Sequence, residues 1–223
     1  MLFQWTAIQA GQFRLLERRA PLPWGEPSYV LRTFAVGSAP SYAAIVYKHG
    51  LGQKTESVVL NGRSFSVEKA ALDALMQVER REDYQHLWID CLCIHQSDDL
   101  ERAHQEQMMD QIFRGADAVL ACVSEDAPGA SKFREAAKRE NEKSCLQPDD
   151  GDRAKAFRNF LGQLGVLSNG KSLWECDDLR TELNVFLHNG SERYTWAQVR
   201  RILTKDSYQE TQSNSAPPSG SVL

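Results

Sequence analysis

Between His86 and Phe113 the chain reads "HLWIDCLCIHQSDDLERAHQEQMMDQIF", which brings Asp90, two thiols and the imidazoles of His95 and His104 close together in sequence. Thiolate and imidazole are ligands that zinc prefers, so Cys91, Cys93, His95 and His104 are the first candidates for chemistry. On a strand, Cys91, Cys93 and His95 point to one side, and His104 could return from a following helix. Their spacing argues against the metal. Structural zinc sites set ligands about two to four residues apart on a tight turn, whereas side chains two apart on a flat strand diverge. Buried cysteines are common in sheet strands without any ligand role, so no metal is expected.

Asp90 is the better candidate. An ionised carboxylate inside an apolar strand costs several kcal/mol unless it is paired or emerges at the strand's end. In an open α/β sheet the carboxyl ends of the strands are where ligands bind. The alternative is that Asp90 bonds backbone N–H groups in the loop before the next helix, and residue type alone leaves both readings open. His49, ahead of Gly50, stands where a strand should end and could act as an acid or base. Trp174 and Glu182, taken alone, read as a core aromatic and a solvated helix acid. The chain has no phosphate-cradling glycine loop, no Gly-x-Ser-x-Gly elbow and no Cys-His pair in a recognisable nucleophile context.

The elements that must position these residues follow from pattern. "FRLLE" and "YVLRTFAV" read as an opening strand pair around the turn-forming "APLPWGEP". "SYAAIVYKHG" is a further apolar run. In "SVVLNGRSFSV", Asn61-Gly62 predicts a hairpin, because both central residues of its turn need positive φ. Val67, Ala71, Ala74, Leu75 and Val78 then form the stripe of an amphipathic helix ending near Arg80. "HLWIDCLCI" is read as a buried, parallel strand. Asp98 and Glu101 mark a helix start in which each side chain satisfies an orphaned backbone N–H. Leu100, Ala103, Met108, Ile112 and Ala116 give that helix one apolar face, and "DAVLACVS" is the next strand.

Helix, strand, helix and strand in this order imply a βαβ unit, hence a layered α/β sheet. Farther on, "KFREAAKRENEK" reads as an exposed helix, and "AFRNFLGQLGVL", "DLRTELNVFL" and "TWAQVRRIL" carry apolar residues at helical spacing. The Ser-, Gln- and Pro-rich tail from 204 to 223 is expected to be disordered.

A chain of 223 residues can bury one substantial core, and a single domain over 1–203 is expected. The net charge of −4 gives no general attraction to nucleic acid or an anionic membrane. No run approaches the roughly 18 to 20 apolar residues that cross a bilayer. The five cysteines are sparse and odd in number, which fits a reducing compartment, so the cytoplasm is the expected location.

The block "LWIDCLCIHQSDDLERAHQEQMMDQIFRGADAVLACV" resembles the signature of the fungal heterokaryon-incompatibility (HET) domain. Leu87, Trp88, Ile89, Asp90, Cys93, Ile94, Gln96, Asp98, Glu101, Arg102, Gln105, Met109, Ile112, Ala116 and Val119 stand at the family's spacing. "FRLLE" with "SYAAIVYKHG", and "VVLNGRSFSVEKAALDAL", are similar to its opening, its hairpin and its first helix, so the signature region covers residues 13–123. A weaker block at 173–199 echoes its final motif in Trp174 and Glu182. The chain departs from the family at Val46, where Ser is usual, at His49 (Trp), at His95 (Asn) and at Asp178 (Trp), and Thr181 replaces a Gln.

The resemblance implies an α/β fold. The expected form is a three-layer sheet with flanking helices, TIR-like or flavodoxin-like, with an N-terminal β-hairpin elaboration. It implies an intracellular effector or signalling module in fungal non-self recognition and programmed cell death, acting through protein partners or self-assembly. Through the distant TIR relationship it also implies NAD as a possible substrate, cleaved at the nicotinamide–ribose bond, with Asp90 and Glu182 as the catalytic carboxylates. Trp88, His49, His95, Gln96, Arg102 and Trp174 would line that pocket. The altered positions point to a third reading, an inactive or repurposed copy of the domain.

Overall fold

The computed structural model describes residues 3–23, 25–47, 56–80, 82–123, 134–135, 137–138, 185–190 and 192–199. Among them the chain builds β1 (Gln12–Arg18), β2 (Ser28–Ala35), β3 (Ala43–Tyr47), β4 (Glu56–Leu60), β5 (Arg63–Val67), α1 (Lys69–Glu79), β6 (His86–Trp88), α2 (Asp90–Cys93), α3 (Asp99–Gly115), β7 (Ala118–Val123), β8 (Val185–Asn189) and β9 (Glu192–Thr195). The strands form one mixed sheet in the order β5-β4-β2-β1-β6-β3-β7-β8-β9. Its centre is parallel: β3 runs parallel to β6 and to β7, and β7 runs parallel to β8. The expected opening pair β1 and β2 is antiparallel, and with the β4–β5 hairpin it extends this same sheet toward one edge.

Every residue of β3 and β7 is buried, as unbroken apolar runs require when a strand is covered on both faces. Register shows what covers each face. Tyr47 pairs with Cys122, whose thiol donates to the Ala74 carbonyl of α1. Ala44, three residues before Tyr47 and so on the other face, pairs with Trp88, whose ring meets Phe113 of α3 edge-on at 5.5 Å. Helices α1 and α3 therefore lie on opposite faces. The α1 stripe is as its spacing predicts, with Ala71, Ala74, Leu75 and Val78 buried. The predicted hairpin turn is present too: Asn61 and Gly62 have φ of 51° and 75°, and the Asn61 side chain accepts from the Leu31 N–H at 2.8 Å, tying the hairpin to β2.

Four expectations need correction. "HLWIDCLCI" is not one strand: β6 stops at Trp88, and Asp90–Cys93 make a helical turn whose N–H groups at Leu92 and Cys93 donate to the Ile89 carbonyl. An apolar run this short is buried in either conformation, so hydrophobicity does not separate them. The end of "DLRTELNVFL" is strand, because Val185–Asn189 pairs with β7. At the start of α3, Leu100 is 85% exposed and Ala103 is also exposed, so the buried stripe begins at Gln105. Finally, Asp98 caps α3 by accepting from the N–H groups of Leu100 and Glu101, but Glu101 does not return the bond because its carboxylate is engaged elsewhere. Only Arg134, Glu135, Ala137 and Lys138 of "KFREAAKRENEK" are described, all helical, and "AFRNFLGQLGVL" and the tail 204–223 lie outside the described residues.

Candidate functional site

The segment from Ile89 to Asp98 leaves the carboxyl end of β6, turns once as α2 and enters α3. A loop with few ladder bonds of its own must be fixed by side chains, and the polar residues of the signature supply them. The Gln96 side-chain amide donates to the Asp90 carbonyl at 3.0 Å, closing the loop on itself. Arg102 reaches back from α3 to donate to the Gln96 carbonyl at 3.0 Å, while its other nitrogen holds Asp99 at 2.7 Å. Gln105, fully buried, donates to the Gln12 carbonyl of β1 at 2.7 Å.

Beneath the loop lies an ion pair. Arg14, on the buried side of β1, donates to both carboxylate oxygens of Glu101, to the Cys93 carbonyl at 3.1 Å and to the Thr6 carbonyl at 2.6 Å. Glu101 also accepts from the His95 N–H at 2.8 Å. Burial alone would raise the Glu101 carboxyl, but the Arg14 hydrogen bonds, the His95 N–H and the Arg14 charge outweigh it and hold it below the ordinary carboxylate value. Neither Arg14 nor Glu101 figured among the expected site residues. The signal for Arg14 is a charged residue inside the apolar "FRLLE", where burial carries the same cost as for Asp90.

Asp90 opens α2, half-buried, and its carboxylate accepts from the Cys91 N–H at 2.6 Å. It faces the end of β3. Burial, reinforced by Cys91 and Asp90, pushes the Tyr47 hydroxyl far above its ordinary pKa, and burial with Asp90 does the same to the Cys91 thiol. Both groups stay neutral near pH 7, beside a carboxylate at the carboxyl ends of two adjacent parallel strands. Glu68, just ahead of α1, is near enough to contribute to both shifts.

His95 is turned to different company. Its imidazole stacks on the Trp5 indole with centroids 5.0 Å apart and planes 19° from parallel. Trp88 is 1% exposed and packed on Phe113, inside the core. Gln96 and Arg102 act on the loop's backbone as described. His49, Trp174, Asp178 and Glu182 lie outside the described residues.

Among the described residues, Cys91, Cys93 and His95 do not converge. The Cys93 thiol is buried and directed at the Leu87 carbonyl, the Cys91 thiol interacts with Tyr47, and His95 stacks on Trp5. Among the described residues, His95, Asp98 and Glu101 do bring ligand atoms within 4.8 Å of one another. The Arg14 guanidinium already occupies both Glu101 oxygens, and Asp98 is spent on the α3 cap, so these residues do not fit a cation.

A mixed α/β sheet with helices on both faces and an acid at the end of a parallel strand defines the class. Within it, residues 37–181, well over half of the chain, match the family model described as "Heterokaryon incompatibility protein (HET)", and the chain belongs to that family. No curated protein and no solved structure matches the chain. No helix among the described residues is long and apolar enough to cross a membrane.

Proposed function

We propose that this HET-family chain is an effector or signalling module of fungal non-self recognition and programmed cell death, working in the cytoplasm through protein partners or self-assembly. Its working surface is the crevice at the carboxyl ends of β3, β6 and β7. The observation that supports this is the order of the four parallel strands. Ranked along the chain, β3, β6, β7 and β8 are first to fourth, and in the sheet they lie second, first, third, fourth. This order coincides with the start of the doubly wound order of flavodoxin, which supports the flavodoxin-like or TIR-like reading. In that order the switch point lies between the first and third strands, here β3 and β7, and ligands bind outside the carboxyl ends of the strands there. Tyr47 closes β3 and Asp90 follows β6.

The chemistry we assign to that crevice is hydrolysis of NAD at the nicotinamide–ribose bond, with Asp90 and Glu182 as the carboxylates. The breaking bond's electron pair leaves with nicotinamide, and positive charge develops on the ribose. A fixed carboxylate beside that charge lowers the barrier, and water then adds at the same carbon and loses a proton. Tyr47 and Cys91, held neutral by burial, add no charge of their own next to Asp90.

Purified protein incubated with NAD, alongside Asp90→Ala and Glu182→Ala, tests this by nicotinamide release. Release that either substitution abolishes supports the assignment. Release unaffected by both sinks the residue roles. No release from wild type under assembly-promoting conditions leaves the module without catalysis, as the altered positions Val46, His49 and His95 would suggest.

A further inference from the structure

Residues 3–9 carry no helix or strand, yet they are pinned across the sheet by aromatic rings. Phe3 and Trp5 both meet Phe65 of β5 edge-on, at 5.4 and 5.8 Å. The Trp5 indole stacks on His95, and the Arg14 guanidinium lies over it at 4.9 Å from the ring centroid. Thr6 gives Arg14 a carbonyl oxygen. This strap precedes the residues matched by the family model.

Apart from the Thr6 carbonyl on Arg14 and the Phe3 ring on Phe65, the walls of the slot that receives Trp5 are held by bonds from outside the strap. Arg14 is fixed by Glu101 and the Cys93 carbonyl, the His95 backbone is held by Glu101 and by the Asp98 N–H, and Phe65 sits in the β4–β5 ladder opposite Val58. A slot whose walls are held by their own bonds keeps its shape when the strap leaves, so ring binding does not require the walls to reorder. The strap itself is the weaker partner, an irregular segment joined to β1 through the Gln9–Gln12 turn, where Gly11 has φ of 76°.

We propose that the Arg14–His95–Phe65 slot is a binding site for an aromatic side chain on a short extended segment, filled in cis by Trp5 and open in trans to the same strap of a second copy of this chain. The ring chemistry favours an indole: a guanidinium over its face, a flat imidazole stacked on it and a phenyl edge. Exchange of an identical segment between copies needs no new complementarity, because the contacts in cis and in trans are the same. This slot uses none of Tyr47, Glu68, Asp90 or Cys91, and its test is indifferent to NAD chemistry.

The probe is a peptide of sequence FQWTAIQA, titrated into full-length Trp5→Ala and into wild type. Saturable binding to Trp5→Ala is expected, weakened about two- to tenfold when His95→Ala or Phe65→Ala is added. Wild type should bind the peptide far more weakly because its own strap fills the slot. Binding that ignores both added substitutions, or no binding to a Trp5→Ala chain that still melts cooperatively, overturns the site. Sedimentation of wild type needs no variant. A dimer fraction that rises with concentration supports exchange, and a strict monomer into the millimolar range overturns it.

Discussion

The Arg14 guanidinium grips both carboxylate oxygens of Glu101, at 2.6 and 2.9 Å, across 87 residues of sequence. Their side chains are 2% and 9% exposed, so each charge is withdrawn from water and depends on the other. Breaking one half of such a pair strands a buried charge. Arg14→Met or Glu101→Leu alone should therefore cost about 3–5 kcal/mol, while the double substitution should cost much less than the sum. Urea unfolding of the four proteins of this cycle measures it, and additive losses would show that the pair is not coupled.

The same pair sets an acid limit. Glu101 titrates below its ordinary value of 4.5 in the folded protein, so the folded state binds its proton less readily than the unfolded chain. Its contribution is fully present above pH 4.5 and is lost as pH falls through the depressed folded value. Stability measured by denaturant should fall on acidification below about pH 4.5, and the part of that fall due to Glu101 should vanish in the Arg14→Met, Glu101→Leu protein.

The described thiols should be inert. Burial pushes Cys93 up to about 12 against the opposing pull of backbone N–H groups and Arg14, and burial likewise raises Cys91 and Cys122 far above the ordinary thiol. In a protein carrying Cys145→Ser and Cys176→Ser, reaction with a disulfide reagent at pH 8 should be very slow in the native state. It should become fast in urea, since the thiolate is the reacting form. Rapid native labelling of Cys91 would contradict its placement against Tyr47.

The helix cap offers a smaller, cleaner change. Asp98 satisfies two N–H groups at the start of α3 from an exposed position, so Asp98→Ala should cost about 1 kcal/mol, and Asp98→Asn little. A thermal melt of both variants distinguishes loss of the cap from loss of the charge.

Much of the fold was legible where local rules act. Asn61-Gly62 specifies its own turn, the α1 stripe has a period that only a helix satisfies, and Asp98 marks where α3 begins. The run after Trp88 was not legible, because a buried strand and a buried helical turn present the same apolar composition, and the choice falls to the neighbours the chain meets. The same holds for β8, whose pairing with β7 overrides helical spacing in "DLRTELNVFL".

Asp90 could be singled out from sequence because a lone acid in an apolar run is costly wherever it ends up, and the family signature could be recognised because its residues hold fixed spacings. What the sequence by itself determined is therefore what is local: periods, turns, caps and the order of the motifs. Tertiary structure alone decided that Arg14 meets Glu101, that Trp5 lies on His95 and that Tyr47 faces Asp90 and Cys91. Those contacts join segments far apart in the chain, and they exist only once the sheet order has brought β1, β3 and β6 side by side.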